Sequence, residues 1–123
     1  MSEQQLSADW PASVHPPETE AFEQTAVVWL FDQMPPDYRL HGVLRRYPVA
    51  LARLAREHVS ACLDAAREGY RTARVTLRDY LPPPAIDQVM NAYLAEGQRM
   101  AATLRSIAVV DEALRSTTTA PRE

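Results

Sequence analysis

The strongest constraint on this chain is a run of three prolines, Pro82-Pro83-Pro84, set between two long stretches of helical periodicity. Proline lacks the N–H that an interior helical position needs, and its ring disfavours helix in the residue before it. On the N-terminal side, Leu51, Ala55, Val59, Cys62, Ala66, Gly69, Ala73, Leu77 and Tyr80 recur at steps of three and four. On the C-terminal side, Ile86, Met90, Tyr93, Gly97, Met100, Leu104 and Ile107 repeat those steps. Such spacing keeps one stripe on one face of an α-helix. The pattern predicts a first arm from Pro48 to Tyr80, a reversal at Leu81–Pro84 and a second arm from Pro84 to Leu114. Pro48 suits the first turn of a helix, where a missing N–H costs nothing. Short connections make neighbouring helices antiparallel.

A reversal centred on the prolines implies that facing residues have positions summing to about 166. Tyr80 then meets Ile86, Leu77 meets Val89, Ala73 meets Tyr93, Cys62 meets Leu104 and Val59 meets Ile107. The same register sets Gly69 opposite Gly97, two of the three glycines in the chain. A glycine inside a helix costs up to ~1 kcal/mol against alanine, so the pairing suggests a close crossing with no room for a Cβ.

Two arms make a flat object with bare flanks, and Leu63 and Tyr70 lie on the flank of the first arm. Glu18–Met34 reads as a helix that can cover this flank, with Phe22, Ala26, Trp29 and Leu30 on one side. Val27, Phe31 and Met34 lie towards another side, and contiguous apolar surface of that kind is rarely left in water. The expectation is an all-α fold: a long antiparallel hairpin plus an N-terminal helix, as a three-helix or dimeric four-helix-bundle-like arrangement. Self-association is expected through Val27, Trp29, Phe31 and Met34, since a two-fold axis lets one patch meet itself. At 123 residues the chain suits one domain. Residues 1–17 read as a disordered arm, 18–115 as the single helical domain and 116–123 as a disordered tail. Trp10 is the exception in the arm, an aromatic that either anchors on a surface or stands idle.

Several chemistries lack their residues. All 13 basic residues are arginine, so there is no P-loop lysine and no Schiff-base lysine. One cysteine excludes an internal disulfide. No apolar run reaches the ~18 residues of a membrane span, and the N-terminal MSEQQLSADW lacks the basic and apolar regions of a signal peptide. A cytoplasmic location is the expectation. His58 and Cys62 share a helix face at a spacing metal ligands use. The facing arm is expected to offer only Leu104, Ile107 and Ala108, which favours a core histidine beside a small thiol. Asp111 and Glu112 are adjacent and point apart. No nucleophile–base set is visible, so no catalytic residue, metal or cofactor is expected.

Pro35-Pro36 ends the first helix. The stretch that follows holds two tyrosines, three arginines and a histidine between Asp37 and Tyr47. Leu40–Tyr47 reads as a short helix pinned by Val43 and Leu44. Tyrosine and arginine are favoured at protein interfaces, which makes Tyr38, Arg39, His41, Arg45, Arg46 and Tyr47 a candidate partner surface. The stretch PPDYRLHGVLRRYPVALARLAREH (35–58) resembles small uncharacterised all-helical proteins of actinobacteria, a likeness that extends over about 25–114 and carries over no activity.

Charge is unevenly spread. Residues 1–38 carry seven acids and no arginine, and residues 39–123 carry 13 arginines and nine acids. Arg53, Arg56, Arg67, Arg71, Arg74 and Arg78 fall within about 60° on a helical wheel, facing away from the hairpin seam. Such a line can track phosphates, with Arg67, Arg71, Arg74 and Arg78 as the candidate contacts. Glu57, Asp64, Glu68 and Asp79 flank it, which suits a solvated or protein-binding ridge. The leading reading is a non-catalytic interaction or adaptor protein that meets itself or another protein. The alternatives are a nucleic-acid-associated accessory protein and a small-ligand binder or enzyme without a visible motif.

Overall fold

A computed structural model describes residues 6–119. The chain runs through α1 (Phe22–Asp32), a 3-10 turn (Pro36–Leu40), α2 (Gly42–Arg46), α3 (Pro48–Thr76) and α4 (Pro83–Thr119), with no strand among the described residues. α3 and α4 form the antiparallel hairpin that the proline break implies. At 1.5 Å per residue they span about 44 and 55 Å. Pro48 takes the first position of α3.

The reversal comes earlier than the prolines. Leu77 N–H still donates to Ala73, and then Tyr80 and Leu81 both donate back to Leu77. Leu77–Pro82 is therefore the connector, and Tyr80 is 79% exposed rather than facing the buried Ile86. Pro83 and Pro84 open α4, because the first helical turn requires no N–H from them. This displaces the register. Arg74 pairs with Asp87, Gly69 lies against Tyr93 and Gly97 against Leu63. The facing positions thus sum to 160–162, not 166, and the two glycines do not meet.

The main core lies at the end of the hairpin away from the reversal. α1 places Phe22, Ala26, Leu30 and Phe31 on Leu51, Ala52, Ala55 and Val59 of α3 and Ile107, Val110 and Leu114 of α4. Leu30, Leu51, Ile107 and Val110 are almost wholly enclosed. At ~25 cal/mol per Å² of buried apolar area, this cluster is the main source of stability. α1 spans only about 16 Å, so it covers one half of the hairpin. Leu63, Ala66, Ala73 and Ile86 are buried beyond that cluster, along the seam of the far half.

Residues 6–17, expected as a loose arm, are laid against α1. Trp10 stacks on Phe22 with ring centroids 5.9 Å apart and donates its indole N–H to the Val14 carbonyl at 2.8 Å. Val14 is 3% exposed. His15 N–H donates to the Thr25 hydroxyl at 2.9 Å, and that hydroxyl donates to Ala21 at 2.8 Å. Asp9 reaches Arg105 of α4 at 3.5 Å. Trp10 is thus an anchor on the protein's own surface. The tail expected after Arg115 continues as helix to Thr119; residues 1–5 and 120–123 lie outside the described residues.

Phe31 and Met34, expected at a self-association surface, are core residues at 2% and 6% exposure. Met34 lies beside Val59 and Met100 where α1 ends, and Phe31 is covered by a lid made by residues 36–47. Leu44 is buried at 7%, and the Arg45 guanidinium lies over the Phe31 ring, 5.1 Å from its centroid. Arg45 also donates to the Arg39 carbonyl at 2.8 Å, and the Arg39 guanidinium pairs with Asp32. The lid covers the side of α1 that the sequence pattern leaves open.

Candidate functional site

The structure distributes the expected site residues between scaffold and surface. Val27 and Trp29 are half-buried against the core, so of the self-association set only these two retain accessible area. Val28, outside that set, is the exposed apolar residue of α1, at 56%. In the 36–47 stretch, Tyr38, Arg39 and Arg45 hold the lid in place. His41, Arg46 and Tyr47 are exposed, beside Leu40 at 80% and Val43 at 48%. Val43 therefore does not pin the short helix; Leu44 does.

The arginine ridge is partly neutralised. Arg53 pairs with Glu57 at 3.0 Å, Arg71 with Glu68, and Arg74 with Asp87 across the hairpin at 3.0 Å. Arg56, Arg67 and Arg78 enter no ion pair among the described residues. Arg71 and Arg74, two of the four candidate phosphate contacts, thus already have carboxylate partners.

His58 Nε2 lies 3.5 Å from Cys62 Sγ. Both are half-buried in a cleft of about 210 Å³ where α1 ends, beside Asp32, Arg99 and Thr103. The displaced register brings Arg99, Met100 and Thr103 to this place instead of Leu104, Ile107 and Ala108. No group of three or more His, Cys, Asp or Glu that could hold a metal ion occurs among the described residues. Arg99 is tied on its other side to Glu96, which accepts from its Nη2 at 2.6 Å and Nε at 3.0 Å. That hydrogen bond, then the positive charge, lowers the Glu96 carboxyl below its ordinary range and raises the Arg99 guanidinium. Asp111 is buried at 8% and held by Arg115 at 3.0 Å, whereas Glu112 is exposed. The two adjacent acids share no site.

The feature that sequence reasoning missed is a groove of about 500 Å³ between the far halves of α3 and α4. Its floor holds Leu63, Ala66, Gly97 and Ala101, and its walls are Tyr70, Tyr93 and Leu94. Arg67 and Arg71 stand on the α3 rim and Gln98 on the α4 rim. On a wheel at 100° per residue, Leu63, Arg67 and Tyr70 lie on one side of the α3 seam. His58 and Cys62, where α1 ends, lie on the other. The expectation that the first helix covers Leu63 and Tyr70 therefore fails: Leu63 is buried by the hairpin itself, and Tyr70 is 37% exposed. The residue types of its lining were legible in the sequence, but not the space between them. Gly97 and Ala101 are small residues one turn apart on the second arm, and Ala66 and Tyr70 are one turn apart on the first.

The chain matches no family model, no curated protein and no solved structure. No helix among the described residues is long and apolar enough to cross a membrane.

Proposed function

We propose that this protein is a non-catalytic helical interaction module that docks another protein through the far half of its hairpin. One observation carries the reading: that half has no third layer over the groove flank. Leu94 is 48% exposed and Tyr70 37%, next to a floor of buried Leu63 and Ala66. Contiguous apolar surface rimmed by polar residues marks interaction sites on soluble proteins. Tyrosine and arginine supply the contacts that most often dominate such interfaces. The near half, with α1, arm and lid, supplies the stability that lets the far half remain open.

The test is a paired affinity purification from the native host, using the tagged wild type and Leu94→Glu. Leu94 is half in solvent, so its exchange leaves the fold intact. A protein recovered at stoichiometric yield with the wild type and lost with Leu94→Glu supports the docking reading. Identical recovery with both baits refutes it and moves the search to the exposed Leu40, Val43 and Tyr47.

A further inference from the structure

We infer that the groove takes an amphipathic helix of a different protein, with acidic residues along one edge of its apolar stripe. The inference rests on the docking reading above and adds the chemistry of the occupant. The lining runs from Leu63 to Arg71 on α3, about 12 Å, or two turns of helix. A helix lying in a groove presents apolar anchors at i, i+3 or i+4, and i+7. Small residues on the floor and aromatic walls fit such a row of anchors.

Gly97 points to an occupant independently. A Cβ added there would meet only the Leu63 Cδ1, at 3.7 Å, an ordinary contact. Gly69 differs: its Cβ would lie 2.4 Å from the Tyr93 ring. A Cβ at 69 therefore forces the Tyr93 ring to move, whereas one at 97 displaces nothing. Glycine weakens a helix relative to alanine, so Gly97 carries a cost with no return inside the chain. Its missing Cβ deepens the floor where a partner's side chain or backbone would enter.

Charge selects the occupant. Arg67 and Arg71 stand one turn apart on the same rim; Arg71 is already paired with Glu68, whereas Arg67 enters no ion pair among the described residues and carries the unmatched charge. The opposite rim offers neutral Gln98. A second copy presenting this flank would set Arg67 against arginine or against Gln98, its nearby Glu68 being already taken by Arg71. Asp87, farther along, is already held by Arg74 at 3.0 Å. Complementarity across an interface governs which partner is accepted, and here it asks for aspartate or glutamate from another chain.

The probe is a display library of helix-favouring peptides of about 15 residues, long enough to hold a helix, selected on the full chain and measured by fluorescence anisotropy. The expected winners carry Leu, Ile, Met or Phe at helical spacing, with Asp or Glu along one edge. Arg67→Glu combined with Arg71→Glu should weaken them by roughly ten-fold or more, and replacing the peptide acids with lysine should restore binding to that variant. Gly97→Leu should weaken them similarly, and Gly97→Ala should weaken them while raising the thermal midpoint. Winners without acids, or indifferent to the charge exchange, overturn the inference and leave the docking reading standing. Light scattering that reports two chains at micromolar concentration, reduced to one by Gly97→Leu, overturns it in favour of a second copy. No enriched peptide, together with identical recovery by wild type and Leu94→Glu, removes both.

Discussion

From Pro48 to Val59, α3 lies under α1 with its apolar face enclosed; from Leu63 to Thr76 it has only α4 beside it over the groove flank. The two halves are written in similar sequence, alanine-rich with apolar residues every third or fourth position. Their environments differ because one helix of 11 residues reaches only one of them. The near half is a three-layered core, with Leu30, Leu51 and Ile107 fully enclosed. The far half is a two-helix seam with an open groove. The comparison teaches that amphipathic periodicity specifies a seam, whereas the covering layer specifies whether the remaining surface becomes core or site.

The largest expected contrast is between a charge placed in each half. Phe31→Glu puts a carboxylate at a 2% exposed position beneath the lid. Loss of a buried phenylalanine alone costs about 3–5 kcal/mol, and the stranded charge adds to it. That approaches the whole stability of a domain this size, so circular dichroism should show an unfolded or molten chain. Leu94→Glu should shift stability by only about 0.5 kcal/mol. A folded, helical Phe31→Glu would mean that the lid does not cover α1.

A smaller contrast, of opposite sign, comes from the two glycines. Gly69→Ala gains about 1 kcal/mol of helix propensity. It also drives a Cβ into the Tyr93 ring, and overpacking costs about 1–3 kcal/mol. The net effect should be a lowered midpoint in urea. Gly97→Ala, which makes only an ordinary contact with Leu63, should raise it by up to about 1 kcal/mol. In a Tyr93→Ala background the clash is gone, and Gly69→Ala should then stabilise. If Gly69→Ala stabilises the otherwise unaltered chain, the ring does not sit on the α3 backbone.

The smallest effect belongs to the exposed Glu96–Arg99 pair. The Arg99 hydrogen bond and charge lower the Glu96 carboxyl, so its contribution is present above the unfolded carboxyl's range. It is lost as pH falls through the lowered folded value. The stability difference between wild type and Glu96→Gln should therefore shrink as urea titrations are repeated at falling pH. A difference that is constant from neutral to strongly acidic pH would show that the pair contributes nothing.

The sequence by itself determined the helices and the fact of the reversal, because both follow from local rules. Apolar residues every three to four positions make a helix amphipathic, and three prolines cannot sit inside one. Pro35-Pro36 ended α1 on the same grounds. The register was decided only by tertiary structure. Prolines are as much at home in the first turn of a helix as in a bend, so Pro83 and Pro84 could open α4, and Leu77–Pro82 became the connector. That moved every facing pair by about five positions and replaced a glycine–glycine crossing with Gly69 against Tyr93. The fate of Phe31 and Met34 was likewise tertiary, since Phe31 is covered where residues 36–47 fold back and Met34 where α1 ends beside Val59 and Met100. Trp10 could be recognised as an anchor candidate from its isolation in a polar arm, but its partner, Phe22, emerged only from the fold. The groove is the extreme case. It consists of space that α1 does not reach, and the space between elements is a property of their placement rather than of any residue.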